Sequence, residues 1–435
     1  MTSTDLPRLA VAALLAGVAI ADGTGPVRAA TGRAAAASRR SPGFVPARLA
    51  RIEQFIERYV VDKRLPGAVL LLARDGQVGR LKAFGLADAA SRRLMTTDSL
   101  FRMASATKIV TSVGLLTLVE EGRVGLGDAV GDHLPEFRSL SIRQADGSVK
   151  PATKRLTVRD LLRHTTGFGY GDNPQQRAAY QEAGLMPKGH DDDWTHDLTL
   201  AQWTARLATV PLTSEPGTRF EYGFGTDIAG AVVERVSGQE LDTFLQARLF
   251  GPLRMTDTGF VVSAARQARL TTVYRAGADG FGVADAAGHS LFGRRPRAWS
   301  GGGGWDMVGH GGLVTTAGDF FRFLQMILNG GELEGVRVLS RHTVALMRRN
   351  QLTTLASPER TPGVGFGFGY AIVTDVARYG DVGSPGLLWW AGSTNTRYWL
   401  DPEEQMVGLY LSQMLPFPYL DLMGTVMRLG YQALE

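Results

Sequence analysis

Ser105 and Lys108 stand three residues apart in FRMASATKIV, residues 101–110. A serine hydroxyl becomes a useful nucleophile only when a neighbouring base takes its proton. A lysine amine is such a base where burial and nearby charge favour its neutral form. Residues i and i+3 share a helix face, so the two side chains meet if this stretch is helical. The apolar run behind them (Ile109, Val110, Val113, Leu115, Leu116, Leu118, Val119) predicts a buried helix. Gly122, after Glu120 and Glu121, predicts its stop. A helix start also offers free N–H groups and a positive dipole end, which favour an oxyanion. By itself S-x-x-K is a common tetrapeptide. Two features give it weight. Lysine is scarce, confined to Lys63, Lys82, Lys108, Lys150, Lys154 and Lys188. Lys108 also falls in an apolar helix, where an unpaired charge is costly.

The elements that must position this pair are legible around it. Leu49, Ile52, Phe55, Ile56 and Val60 recur at helical spacing, predicting a helix from Pro46 to Val61. Gly67 to Ala73 and Val78 to Phe84 read as strands joined by an Asp75-Gly76 hairpin turn. A short helix over Val158–Leu162, with Thr157 as N-cap, runs into RHTTGFGYG at 163–171. His164 in that turn reads as a structural histidine. Helices are expected over Leu200–Ala208, Asp227–Val236 with a Ser237-Gly238 stop, onward to Leu249, and over Ala317–Leu328. Phe366–Thr374, Arg397–Leu400 and Gln405–Ser412 read as strands, and 419–434 as a closing helix. Strands at both chain ends with helices between them predict an α+β fold. One antiparallel sheet is built from both ends and flanked by helices, with an all-α region inserted. The expected partition is 45–100 with 295–435 for the sheet part and 101–294 for the helical part.

Composition narrows the function classes. Hydrophobic residues make up 44% of the 435, enough for a large core, and 20% charged residues argue against general disorder. The net charge is +5, but the arginines are scattered without interleaved aromatics, so the charge reads as solubility and not as a nucleic-acid surface. The absence of cysteine excludes disulfides, thiolate metal sites and cysteine nucleophiles. Leu9–Ala21 is an apolar stretch too short to span a bilayer and suited to a signal-peptide core, with Ala19-Ile20-Ala21 as a cleavage site. Residues 1–44 are therefore expected to be a signal peptide or disordered leader and linker, the mature chain exported if the leader is a signal peptide and otherwise cytoplasmic, without membrane insertion. GHDDDWTHD, residues 189–197, has no period that gathers its acids and histidines, so no metal is expected there. Ser300–Gly304 with His310–Gly312 forms a glycine-dense stretch around Trp305.

Taken in order, SATK at 105–108, HTTG at 164–167, Tyr222 after PGTRFE, and Trp390-Ala391-Gly392 ahead of an Asp401-Pro402 turn resemble the serine β-lactamase and penicillin-binding-protein superfamily. Within it the chain is similar to the class C-related branch that includes family VIII carboxylesterases, from about Pro46 to the end. The resemblance implies that Ser105 is acylated, that Lys108 and Tyr222 handle the proton, and that the N–H groups of Ser105 and Ser393 form the oxyanion hole. It implies no cofactor. Two departures carry information. Phe224 stands where the second motif has an asparagine, and Trp390 where the third motif has a cation. Both changes remove polar handles for an amide that bears an acid group. The expected substrate is accordingly an uncharged ester of a small to medium acyl group. Phe168, Tyr170, Phe224, Trp305 and Trp390–Gly392 are the expected substrate-binding residues, with Trp194 and Trp389 as further candidate walls. A β-lactamase or D-Ala-D-Ala carboxypeptidase, an acyltransferase and a non-turnover acyl-binding or penicillin-sensing protein are the alternatives. The G-x-S-x-G pattern of the α/β-hydrolases does not occur.

Overall fold

The computed structural model describes residues 43–186, 198–278, 280–284, 312–353, 355, 361–419 and 421–435. The leader, the 189–197 stretch with Trp194, and Trp305 with all of the 300–312 stretch except Gly312 lie outside them.

The periodic segment at the start of the described chain is helix α1, Pro46–Val61, with Ile52 and Ile56 buried. Strands β1 (Gly67–Arg74) and β2 (Gln77–Asp88) follow. They join through Asp75 and Gly76 at φ +52° and +74°, the left-handed pair that a two-residue hairpin needs. A short β3, Arg93–Leu94, pairs with β2. The remaining sheet strands come from the other end of the chain: β4 (Val364–Phe366), β5 (Ala371–Val373), β6 (Leu388–Gly392), β7 (Thr396–Asp401) and β8 (Met406–Ser412). The sheet is antiparallel throughout, in the order β4-β5-β6-β7-β8-β1-β2-β3. The fold class is the α+β arrangement of one sheet from both chain ends.

Strand β1 shows why its sequence is apolar without alternation. It lies between β8 and β2, and both faces are covered. Ala68, Leu70 and Leu72 join the core with α1 and the closing helix α7, Leu422–Gln432, through Val426 and Met427. Val69, Leu71 and Ala73 join the core on the other face, with Phe320 and Phe323 of α6, Ala317–Leu328. The helices between the two strand sets include α2 (Lys108–Glu120), α3 (Val158–Leu162), α4 (Leu200–Leu207) and α5 (Gly225–Ser237). Helix α3 opens with a full capping box, Thr157 accepting from Asp160 N–H and Asp160 from Thr157 N–H. Gly225 at the head of α5 lets it press onto α3: a Cβ there would stand 2.4 Å from Leu161 O.

Two expectations are corrected. The Ser105 stretch is not one continuous helix. Ala104–Thr107 forms a 3₁₀ turn and the α-helix begins at Lys108. The turn is entered through Phe101–Arg102, which pair with Val314–Thr315, and Ala104 takes φ +48°. The stretch 366–374 is not one strand but the hairpin of β4 and β5, with Phe366 opposite Ala371. Its tip bends through Gly369 at φ +98°, where a Cβ would come within 2.9 Å of Ser112 Oγ and 3.2 Å of Ile109 Cα. The bend thus docks against the first turns of α2.

Candidate active site

The 3₁₀ turn leaves Ser105 half-buried while Lys108, one turn on, is wholly buried. Lys108 Nζ donates to Ser105 Oγ at 3.4 Å. The ammonium has two aromatic neighbours, the rings of Tyr222 at 5.1 Å and Tyr170 at 5.6 Å from Nζ. Among the described residues it has no carboxylate partner.

Tyr222 is held by backbone on both sides. Glu221 N–H donates to His164 O at 2.8 Å and Phe224 N–H to Phe168 O at 3.0 Å. Gly223 bridges to Gly169, and a Cβ on it would stand 1.9 Å from Phe168 O, so only glycine fits. His164, at φ +54°, accepts Gly223 N–H on Nδ1 at 3.3 Å and packs its ring 4.5 Å from that of Tyr222. Burial, and then the charge of Lys108, hold its pKa well below the usual histidine value, so the ring is neutral. Its Nε2 has no hydrogen-bond partner among the described residues. Next to Tyr222, Glu221 hydrogen-bonds Thr213, and burial raises its carboxyl pKa.

The strand β6 brings the third group. Trp390 lies opposite Tyr398 of β7, and its Nε1–H donates to Tyr222 Oη at 3.2 Å. The end of β6 is fastened to the residues that precede Ser105. Thr394 Oγ1–H donates to Arg102 O at 3.1 Å, Thr396 Oγ1–H to Met103 O at 3.3 Å, and Gln413 Nε2–H to Arg102 O at 3.0 Å. Gly392 is pressed so closely that a Cβ would meet Met103 O and Thr396 Oγ1 at 2.3 Å. Ser393 follows it directly in the turn to β7.

Of the expected wall residues, Tyr170 and Trp390 stand at the site. Tyr170 meets Tyr222 edge-on at 5.3 Å, and Trp390 meets it at 5.2 Å. Phe168 and Phe224 do not face the cleft. Phe168 is fully buried against Phe137, and Phe224 is 1% exposed among Tyr170, Tyr180 and Trp203. Phe224 stands at the N-cap of α5, and both rings fill the core, backing the wall from behind. Trp389 turns to Arg397, whose guanidinium stands 4.5 Å from its ring. Phe366 was missed by sequence reasoning. It meets Trp390 at 5.2 Å and His164 at 5.4 Å, tying the β4–β5 hairpin to both motifs. No spacing in the sequence signals that contact. Among the described residues no three His, Asp or Glu side chains converge, and no helix is long and apolar enough to cross a membrane.

Comparison with known proteins identifies the family. The Beta-lactamase family model matches residues 52–431. The chain belongs to that family, a class of active-site-serine enzymes. A protein of Mycobacterium tuberculosis described as uncharacterised is 35% identical over 81% of this chain and 86% of its own length. Esterase EstB of Burkholderia gladioli is 33% identical over 81% of this chain and 87% of its own. Among solved structures, EstCE1, described as a hydrolase with promiscuous acyltransferase activity, superposes with a TM-score of 0.72 at 27% identity, covering 89% of this chain and 98% of that one.

Proposed function

We propose that the protein is a serine ester hydrolase that works through an acyl group carried on Ser105. The observation that carries this reading is the Ser105–Lys108 contact inside a cage of aromatic rings. The similarity to an esterase over most of the chain supports it. Ser105 Oγ attacks the ester carbonyl carbon while its proton passes to the Lys108–Tyr222 pair. The N–H groups of Ser105 and Ser393 receive the carbonyl oxygen as its charge develops. The pair returns the proton to the departing alkoxide. Water then attacks the acyl carbonyl by the same route and frees Ser105. Each step uses groups the chain itself carries.

The substrate follows from what borders the nucleophile. Trp390 offers a ring and one N–H already directed at Tyr222, and itself supplies no cation for a substrate carboxylate. A neutral ester with a small to medium acyl group loses nothing by this, whereas an acid-bearing amide or β-lactam loses its partner. The test is hydrolysis of p-nitrophenyl butyrate beside a chromogenic cephalosporin, in wild type and Ser105→Ala. Ester turnover abolished by the substitution, with little cephalosporin turnover, is the expected result. Efficient cephalosporin cleavage would assign the site to β-lactams instead.

A second reading is acyl transfer to an alcohol in place of water; EstCE1 is described as a hydrolase with promiscuous acyltransferase activity. The same acyl group serves both fates, and an added alcohol acceptor separates them by the ratio of ester to acid formed.

A further inference from the structure

We propose that the groove between the 129–141 segment and the stretch 149–156 is a second binding site, for a small organic polyanion carrying phosphate or carboxylate groups. The groove encloses about 480 Å³, within the range of small-molecule sites, and shares no lining residue with the Ser105 cleft. Four cations line it, Arg138, Lys150, Lys154 and Arg155, against one carboxylate, Asp132. Phe137, Leu140 and Leu156, all buried, floor it and suit a carbon skeleton.

The cations here differ from many of those elsewhere. Arg163 pairs with Asp160, Arg269 with Asp257, and Arg322 with Glu334. Among the described residues none of the four groove cations has a carboxylate within 4.0 Å. Arg138 is steadied without being neutralised, since its Nε–H donates to Gly131 O at 3.0 Å. Gathering like charges in one concavity is unfavourable, and a bound anion relieves that repulsion.

The groove edge already holds an anion of the chain's own. Glu215 accepts Thr153 N–H at 3.1 Å, Thr153 Oγ1–H at 2.7 Å and Lys154 N–H at 3.0 Å. Burial works against its charge, yet these bonds and Lys150 outweigh it and hold the carboxyl below its usual pKa. Backbone N–H groups and Lys150 on this rim thus already hold one negative charge, a second observation that the rim favours anions. The site is bounded and concave, not a stripe, which fits a small molecule better than a polymer.

Titration calorimetry of the full chain with pyrophosphate and, separately, with citrate tests the proposal. Saturable binding of one molecule per chain is expected for at least one probe, the tighter of the two identifying phosphate or carboxylate as the recognised group. Lys150→Gln/Arg155→Gln should weaken it about tenfold or more, because charge-assisted bonds are lost. Arg58→Gln/Arg378→Gln removes the same net charge from exposed sites elsewhere and should leave the affinity unchanged. Both double variants should keep wild-type ester turnover, which reports an intact fold. No saturable binding of either probe up to about 10 mM would overturn the proposal. Equal weakening by the two double variants would also overturn it, since bulk charge would then explain the binding.

Discussion

The cleft and the basic groove both rest on cations with no carboxylate within 4.0 Å among the described residues, and they differ in solvent. Lys108 is fully buried, faced by two tyrosine rings and the Ser105 hydroxyl. Arg138, Lys150, Lys154 and Arg155 are exposed. Water and salt screen an exposed charge, whereas a buried one acts on its neighbours at low dielectric. The same kind of group therefore serves proton transfer in one place and long-range attraction in the other.

Substitutions that remove charge break this comparison most visibly. Ser105→Ala should cut ester turnover at least about a thousandfold, and Lys108→Met should do nearly as much. The two differ in stability. Lys108→Met removes a buried unpaired charge and keeps the volume, so the variant should be as stable as wild type or about 1 kcal/mol more so. Denaturant melts alongside the kinetics check both. A Lys108→Met chain that is inactive because it has unfolded would deny that the charge is held against a stability cost.

The next effect is smaller and concerns one hydrogen bond. Trp390→Phe keeps a ring against Tyr222 and Phe366 but removes the indole N–H that donates to Tyr222 Oη. One such bond corresponds to about tenfold in kcat. KM for a neutral ester should hardly move, because the apolar wall remains. A change in KM alone would make Trp390 a substrate contact and nothing more.

The sequence and the structure agree best where local pattern decides. The apolar period located α1, the Ala317–Leu328 reading matches α6, and Asp75-Gly76 announced its own turn. The Ser105–Lys108 spacing is legible because residues three apart share a face in a 3₁₀ turn as in an α-helix. What was not legible depends on residues far apart in the chain. Phe168 and Phe224 looked like pocket walls because they flank motif residues, but their carbonyl and amide bond each other and turn both rings into the core. Phe366 reaches His164 and Trp390 only because the run beyond it folds back at Gly369. Three of the groove cations, Lys150, Lys154 and Arg155, lie within six residues, but Arg138 stands twelve residues before them. Pairing of Ser141–Arg143 with Val149–Pro151 is what brings them together.

His164 gives a pH test of the buried side of the comparison. Burial and the Lys108 charge put its folded pKa well below the unfolded value of about 6.5. Below that value the unfolded chain takes a proton that the folded chain refuses. Stability is therefore full above about pH 6.5 and is lost as the pH falls toward the folded pKa. Between about pH 7.5 and about pH 5.5 this one group should cost about 1 kcal/mol. His164→Gln, which keeps an acceptor for Gly223 N–H, should flatten that limb in urea melts at the two pH values. An unchanged limb would mean that another group governs it.

The smallest effect belongs to the exposed cations. Lys150 and Arg155 have no carboxylate within 4.0 Å among the described residues and stand among like charges, Lys150 acting on Glu215 at longer range. Removing them cannot expose a buried polar group or open a cavity, the mechanisms behind large stability losses. Lys150→Gln/Arg155→Gln should therefore change stability by no more than about 0.5 kcal/mol, upward where repulsion is relieved. The gain should shrink as salt is added, because screening already weakens the repulsion in wild type. Stability of the Lys108→Met chain should not follow salt in this way, since its site is closed to ions. If both variants showed the same salt dependence, the contrast between a buried cation and four exposed ones would fail at its physical root.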